Sequence, residues 1–245
     1  MIDWSRLVNT TDYTTLELLL FAGGCYLWVV VYMLYIRSIL RDRFIEAPIF
    51  AVCGNIGWEF AWSFPLTTDM GPLLVWCYRI WFFFDLVIFW GVLRYGWKQV
   101  RTDAFHPYLQ PMLVAIAVFH GAAFYTMAIS GLDTSIGANS AFMLNFALSV
   151  LYVFVLFQQR ALGNLARVSL LIAWLKMLGT GTNTVFMNIH PAYADYAFLH
   201  LMSITTTSVD CLYIYLVWSL QRDAARQPSA ASSASASSRS AVAVS

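Results

Sequence analysis

Charge is what this sequence has least of. Asp, Glu, Lys and Arg make up 11% of its 245 residues, less than half of the roughly 25% usual in soluble domains. The net charge is only +1, and no basic cluster interleaves with aromatics, so nothing here suits a nucleic-acid partner. Cysteine is sparse as well. Cys25, Cys53, Cys77 and Cys211 stand singly in apolar runs without C-x-x-C spacing, which reads as small buried hydrophobes rather than a disulfide framework or a metal set. The first fifteen residues lack the apolar core of a cleavable signal peptide. The first apolar run is long enough to act as its own insertion signal, and Asn9-Thr10-Thr11 ahead of it forms a glycosylation sequon.

What is present is apolar sequence in long pieces. Hydrophobic residues account for 60% of the chain, against roughly 45–50% in soluble domains. They fall into seven runs of membrane-crossing length, 16–36, 48–68, 73–94, 109–130, 138–158, 167–188 and 196–219. These runs lack the alternation of barrel strands, and a backbone facing lipid must satisfy its own hydrogen bonds. The expected fold is therefore all-α, an integral-membrane bundle of seven transmembrane helices. It occupies 16–222, after an extramembrane N-terminus over 1–15 and before an Ala/Ser-rich, low-complexity tail over 223–245 that is expected to be disordered.

Basic residues set the expected orientation. Arg37, Arg41 and Arg43 follow the first run, Arg94, Lys98 and Arg101 the third, Arg160 and Arg167 flank the fifth-to-sixth connection, and Arg222, Arg226 and Arg239 follow the seventh. The opposite connections carry mainly Asp3, Asp12, Glu17, Asp69, Asp133 and Asp195, with Arg6 the exception. The positive-inside rule places the C-terminus in the cytoplasm and the N-terminus outside, or in the lumen.

A few ionisable residues interrupt the apolar runs near their middles: Glu59, Asp85, Lys176 and Asp210, with Arg79 shallower. Such groups are costly in lipid, face the bundle interior and mark functional sites by default. Helical spacing puts Asn55, Trp62 and Ser63 beside Glu59, and Ser203, Thr206, Thr207 and Tyr213 beside Asp210. Lys176 shares a face with Thr180, Asn183 and Thr184. Three polar faces at one depth predict a shared cavity. Its walls are aromatic, with Trp58 and Trp62 near Glu59 and Tyr78, Trp81 and Phe82 ahead of Asp85. Aromatic faces stabilise cations without offering a nucleophile. A structural reading stands beside this one: aromatics are common in membrane helices, Asp85 and Lys176 could form a buried ion pair, and the four histidines lack ligand spacing. Midplane acids also suit a proton-coupled transporter or a seven-helix receptor, though no internal repeat is evident and the last run lacks a retinal-type lysine.

At "NIGWEF" (55–60) and "TTSVDCLYIYLV" (206–217) the sequence resembles the small integral-membrane terpene cyclases of fungal meroterpenoid and indole-diterpene pathways, which have bacterial relatives. The resemblance covers nearly the whole chain apart from the tail. It implies that Glu59 and Asp210 are the two acids required for cyclisation, one protonating a terminal epoxide or alkene of a farnesyl- or geranylgeranyl-bearing substrate. Asn55, Trp58, Trp62, Tyr78, Trp81, Phe82, Thr206, Thr207 and Tyr213 are then expected to line the site, with Asp85, Lys176 and Asn183 behind them. No D-D-x-x-D or D-x-D-D run is present, so the expectation is no metal, no cofactor and no diphosphate departure. The expected partners are a lipophilic prenylated molecule and the bilayer, in the endoplasmic reticulum of a fungus or the cytoplasmic membrane of a bacterium.

Overall fold

A computed structural model describes residues 7–100 and 103–226. Asp3, Arg6, Arg101 and Arg239 lie outside the described residues, as does the tail from 227 onward. The described residues form seven α-helices joined by loops and single 3-10 turns, with no strand among them: α1 (Thr15–Asp42), α2 (Ile49–Ser63), α3 (Pro72–Tyr95), α4 (His106–Ile129), α5 (Ala138–Ala161), α6 (Leu170–Ile189) and α7 (Ala197–Arg226). Residues 223–226, assigned above to the tail, continue α7.

Helix ends follow local chemistry. Thr14 and Glu17 form a capping box at the start of α1, and Ser169 caps α6 by accepting from the Ile172 amide. Pro48 precedes α2 and Pro72 opens α3, where a missing N–H costs nothing. Proline also explains why α2 is shorter than its apolar run: Pro65 cannot continue the helix, which stops at Ser63. With 15 residues α2 rises only about 22 Å, less than the roughly 30 Å of a hydrocarbon core. Five helices, α1, α3, α4, α5 and α7, are long and apolar enough to cross a membrane. The other two, α2 and α6, carry the Glu59 and Lys176 faces.

Six helices form a ring in the order α1, α3, α2, α5, α7, α6, and α4 packs outside the ring along α2. Small residues permit the closest approaches. A Cβ on Gly24 of α1 would come within 2.8 Å of the Gly179 carbonyl oxygen on α6, and one on Gly57 of α2 within 2.7 Å of the Gly121 nitrogen on α4. Every helix shows large apolar side chains outward, among them Leu19, Phe60, Phe83, Phe119, Phe154, Trp174 and Leu201. Polar groups turn inward, including Glu59, Asp85, Lys176, Thr180, Ser203, Thr206 and Asp210. That inversion matches a lipid-embedded bundle. At one end Lys98 donates to the Arg43 carbonyl at 3.0 Å and Arg167 to the Asp42 carbonyl at 2.8 Å; this is the basic end. The other end holds Asp69, Asp133 and a buried Glu17–His190 contact of 2.9 Å.

Candidate active site

Within the ring lies a cavity of about 100 Å³ walled by α1, α2, α3, α5 and α6. Of the residues expected there, Glu59, Asn55, Trp58, Tyr78, Trp81 and Asn183 line it. Helix α1 adds Phe21, Cys25, Trp28 and Tyr32, a wall not anticipated from the sequence. Their spacing of four, three and four residues puts them on one helix face, so the signal was present, although none of them is charged. Helix α5 contributes Phe142, Leu144 and Asn145, and α6 adds Thr180 and Met187.

Among the described residues Glu59 is the one carboxylic acid on the cavity wall, and it is held through Tyr32. The Tyr32 hydroxyl donates to its Oε1 at 2.7 Å, and Asn55 Nδ2 donates to the Tyr32 oxygen at 3.0 Å. The carboxyl of Asp85 on α3, itself buried, is its acidic neighbour. Glu59 Oε2 and Asp85 Oδ2 are both buried without a hydrogen-bond partner. Across the cavity, the side-chain oxygens of Thr180 and Asn183 are also buried and unpaired.

The aromatic walls are fixed in position. Trp58 Nε1 donates to Ser140 Oγ at 2.8 Å, and Ser140 in turn donates to Asp133. Asp133 lies in the α4–α5 loop and also accepts from the Thr134 and Asn139 amides, at 2.8 and 2.9 Å. Tyr78 donates to the Ile136 carbonyl at 3.0 Å and meets Trp58 edge-on, with ring centroids 5.3 Å apart.

Asp210 occupies a second buried centre, toward the basic end. Lys176 donates to Asp210 Oδ1 and, at 2.7 Å, to Ser149 Oγ. Its ammonium stands 5.4 Å from the Tyr152 ring centroid, and the Tyr152 and Tyr35 hydroxyls are hydrogen-bonded. The sequence-based pairing of Lys176 with Asp85 is therefore corrected: the lysine pairs with Asp210. The reason is helix adjacency, because α6 packs along α7 and α1 but makes no extended contact with α3. Neither Lys176 nor Asp210 lines the cavity; Lys176 lies one turn below Thr180, which does.

The remaining expected lining residues lie elsewhere. Trp62 is buried against Gly137 beyond the cavity's Trp58, and Phe82 faces a lipid-side groove with Phe60. Thr206 bonds back to the Met202 carbonyl at 2.6 Å, and Thr207 meets Thr184 at 2.9 Å in the α6–α7 contact. Tyr213 packs on Tyr152, with centroids 5.2 Å apart. Arg79 donates to the Ser63 carbonyl at 3.0 Å, capping the end of α2 away from Asp85. Among the described residues, no three His, Cys, Asp or Glu side chains converge as a metal site would need.

Comparison with known proteins gives a consistent picture. The family described as Pyr4-like transmembrane terpene cyclases matches residues 8–223. Terpene cyclase macJ of Penicillium terrestre is 31% identical over 206 residues, 78% of each chain. Terpene cyclase spyD of Aspergillus fumigatus is 27% identical over 93 residues, 38% of each chain. The Pyr4-family terpene cyclase mfmH of Annulohypoxylon moriforme is 29% identical over 82 residues, 34% of this chain and 32% of that one. No solved structure matches.

Proposed function

The chain belongs to the Pyr4-like transmembrane terpene cyclases, and we propose that it starts the cyclisation of a prenylated substrate with a proton from Glu59. The observation that supports this most is the setting of that residue. It is the carboxyl on the wall of an aromatic cavity, oriented through Oε1 by Tyr32 and backed by the carboxyl of Asp85. An acid held this way meets substrate in one orientation, which is what general acid catalysis needs.

The proton leaves a Glu59 oxygen for the oxygen of a terminal epoxide, whose C–O bond breaks, or for the less substituted carbon of a terminal alkene. Either event leaves a tertiary carbocation. Successive alkene π pairs attack it, each forming a C–C bond and moving the positive charge along the chain. Loss of a proton from the carbon beside the last cation, or capture by a hydroxyl of the substrate, ends the cascade. The released proton returns to the Glu59–Asp85 pair, so the product is an isomer of the substrate. Asp85 holds the proton with Glu59 between turnovers; once it leaves for the substrate two carboxylates stand side by side, and their repulsion favours its return when the cascade ends. The rings of Trp28, Trp58, Tyr78 and Trp81 line the cavity and stabilise the moving charge through their π systems, while Asn145, Thr180 and Asn183 form the polar side suited to the substrate's aromatic or heteroaromatic head.

Asp210 acts at a distance. It balances the buried ammonium of Lys176, which lies one turn from Thr180 on the cavity wall. With the basic end in the cytoplasm, as the positive-inside rule gives, the cavity lies toward the outer or lumenal half of the bundle.

The test is incubation of membranes carrying the chain with farnesyl- and geranylgeranyl-bearing aromatic or indole compounds, with and without a terminal epoxide, in the presence of EDTA. Mass spectrometry should find a product isomeric with its substrate and poorer in alkenes, absent with Glu59→Gln. Equal product from the Glu59→Gln variant would remove Glu59 from the role of acid.

A further inference from the structure

The central cavity is too small for the chain it has to fold. A cavity of about 150 Å³ is what a single benzene ring occupies, and about 100 Å³ is open here. A substrate of several isoprene units needs both more room and a way in from the bilayer, where its hydrocarbon resides.

One side chain stands between the cavity and a larger space. Leu144 of α5 lines the central cavity and also forms part of a lipid-facing groove of about 610 Å³ between α2, α4 and α5. The groove exists because α4 leans on α2 and makes no extended contact with α5. Its walls are apolar side chains such as Met112, Ile116 and Leu151, with His120 at the level of Leu144. His120 donates through Nδ1 to the Ile116 carbonyl at 2.8 Å. Opposite Leu144 is Gly54 of α2, where a Cβ would fall 2.4 Å from the leucine Cδ1. The leucine is thus seated in a notch that only a missing side chain leaves. The α1–α6 seam is better sealed: the two helices touch backbone to backbone at Gly24 and Gly179, whereas α2 and α5 meet over a short length.

We propose that Leu144 is the gate by which the prenyl chain of the substrate passes from the bilayer into the cavity, and that the groove between α2, α4 and α5 holds that chain. Rotation of the leucine off Gly54 joins the two spaces. The polar head then rests against Asn145, Thr180 and Asn183 while the hydrocarbon extends through the α2–α5 seam. The groove therefore sets the length of prenyl chain accepted. This rests on the cavity being the cyclisation site, and the test separates the two.

Access is measured with a thiol placed inside by Thr180→Cys in the full-length chain, reconstituted in lipid nanodiscs and treated with N-ethylmaleimide. Modification is followed peptide by peptide, with the exposed Cys211 as internal control. Leu144→Ala should speed modification at position 180 by about tenfold or more. Ala147→Trp, which fills the groove from its exposed lipid side without reaching the cavity, should slow it several-fold. Cys211 should react at the same rate in every variant. In the chain without the added thiol, KM for a geranylgeranyl substrate should rise several-fold in Ala147→Trp with kcat little changed. Modification at position 180 that is indifferent to both substitutions, in protein whose Cys211 reacts normally, overturns the gate. A responsive gate in a chain that converts no prenylated compound would instead overturn the cyclisation reading and leave the gate standing.

Discussion

Asp210→Asn removes the only anion among the described residues within hydrogen-bonding reach of a lysine that is 1% exposed. Ser149 at 2.7 Å and the Tyr152 ring at 5.4 Å remain, but both already serve the wild-type chain, so nothing new compensates the ammonium. Breaking a buried ion pair from one side costs about 3–5 kcal/mol. At roughly 2–4 °C per kcal/mol for a chain of this size, the melting temperature should drop by about 6–20 °C. Replacing both partners with apolar residues of similar volume, as in Lys176→Met with Asp210→Leu, leaves no stranded charge and should restore stability to within about 1–2 kcal/mol of wild type. Thermal unfolding in detergent, followed by tryptophan fluorescence, gives the first comparison. Turnover gives the second: because Asp210 does not line the cavity, the double variant should keep activity within about tenfold of wild type, while Asp210→Asn alone loses most of it. A single variant that melts like wild type would refute the stability argument. A double variant that is stable yet as inactive as Glu59→Gln would mean that Asp210 works on the substrate itself.

Four further outcomes are expected. Glu59→Gln should keep the wild-type melting temperature within a few degrees and lower kcat by about 10²–10⁴, the usual weight of a general acid, as read by product formation in membranes. Asp85→Asn should be milder, about tenfold in kcat, and should alter the infrared carboxylic-acid stretch that Glu59→Gln also alters; separate, additive bands from the two sites would refute a shared proton. Tyr32→Phe deletes the 2.7 Å bond to Glu59, a hydrogen bond to a charged or acidic partner being worth about 1.5–3 kcal/mol, so kcat/KM should fall by roughly tenfold or more with the fold intact. The last concerns Glu46, in the α1–α2 loop, buried and bonded to the Ser169 amide at 2.9 Å. Burial pushes its carboxyl up to about 8 from 4.5, so over that window the folded chain binds more protons than the unfolded one. Its contribution therefore favours folding at low pH and is lost as pH rises toward 8; Glu46→Gln should flatten the decline of melting temperature between about pH 5 and 8.5, and an unchanged decline would acquit Glu46.

The elements and their inward faces follow from local pattern alone. In lipid each helix must satisfy its own backbone and bury its own polar residues, so seven apolar runs specify seven helices, and Glu59 with Asn55 one turn away specifies a polar face whatever lies opposite. Pro65 likewise cut α2 short by a purely local rule. Which faces meet is set by the packing of the whole bundle. Whether Lys176 finds Asp85 or Asp210 depends on α6 lying beside α7, and that depends on backbone approaches such as Gly24 on Gly179. Nothing in the local pattern of either helix encodes its neighbour. For the same reason nothing local marks Tyr32, whose hydroxyl reaches Glu59 only in the folded bundle, or Leu144, which lies between two cavities. Charge inside a membrane is legible residue by residue because its cost is local, whereas its partner is a property of the whole bundle.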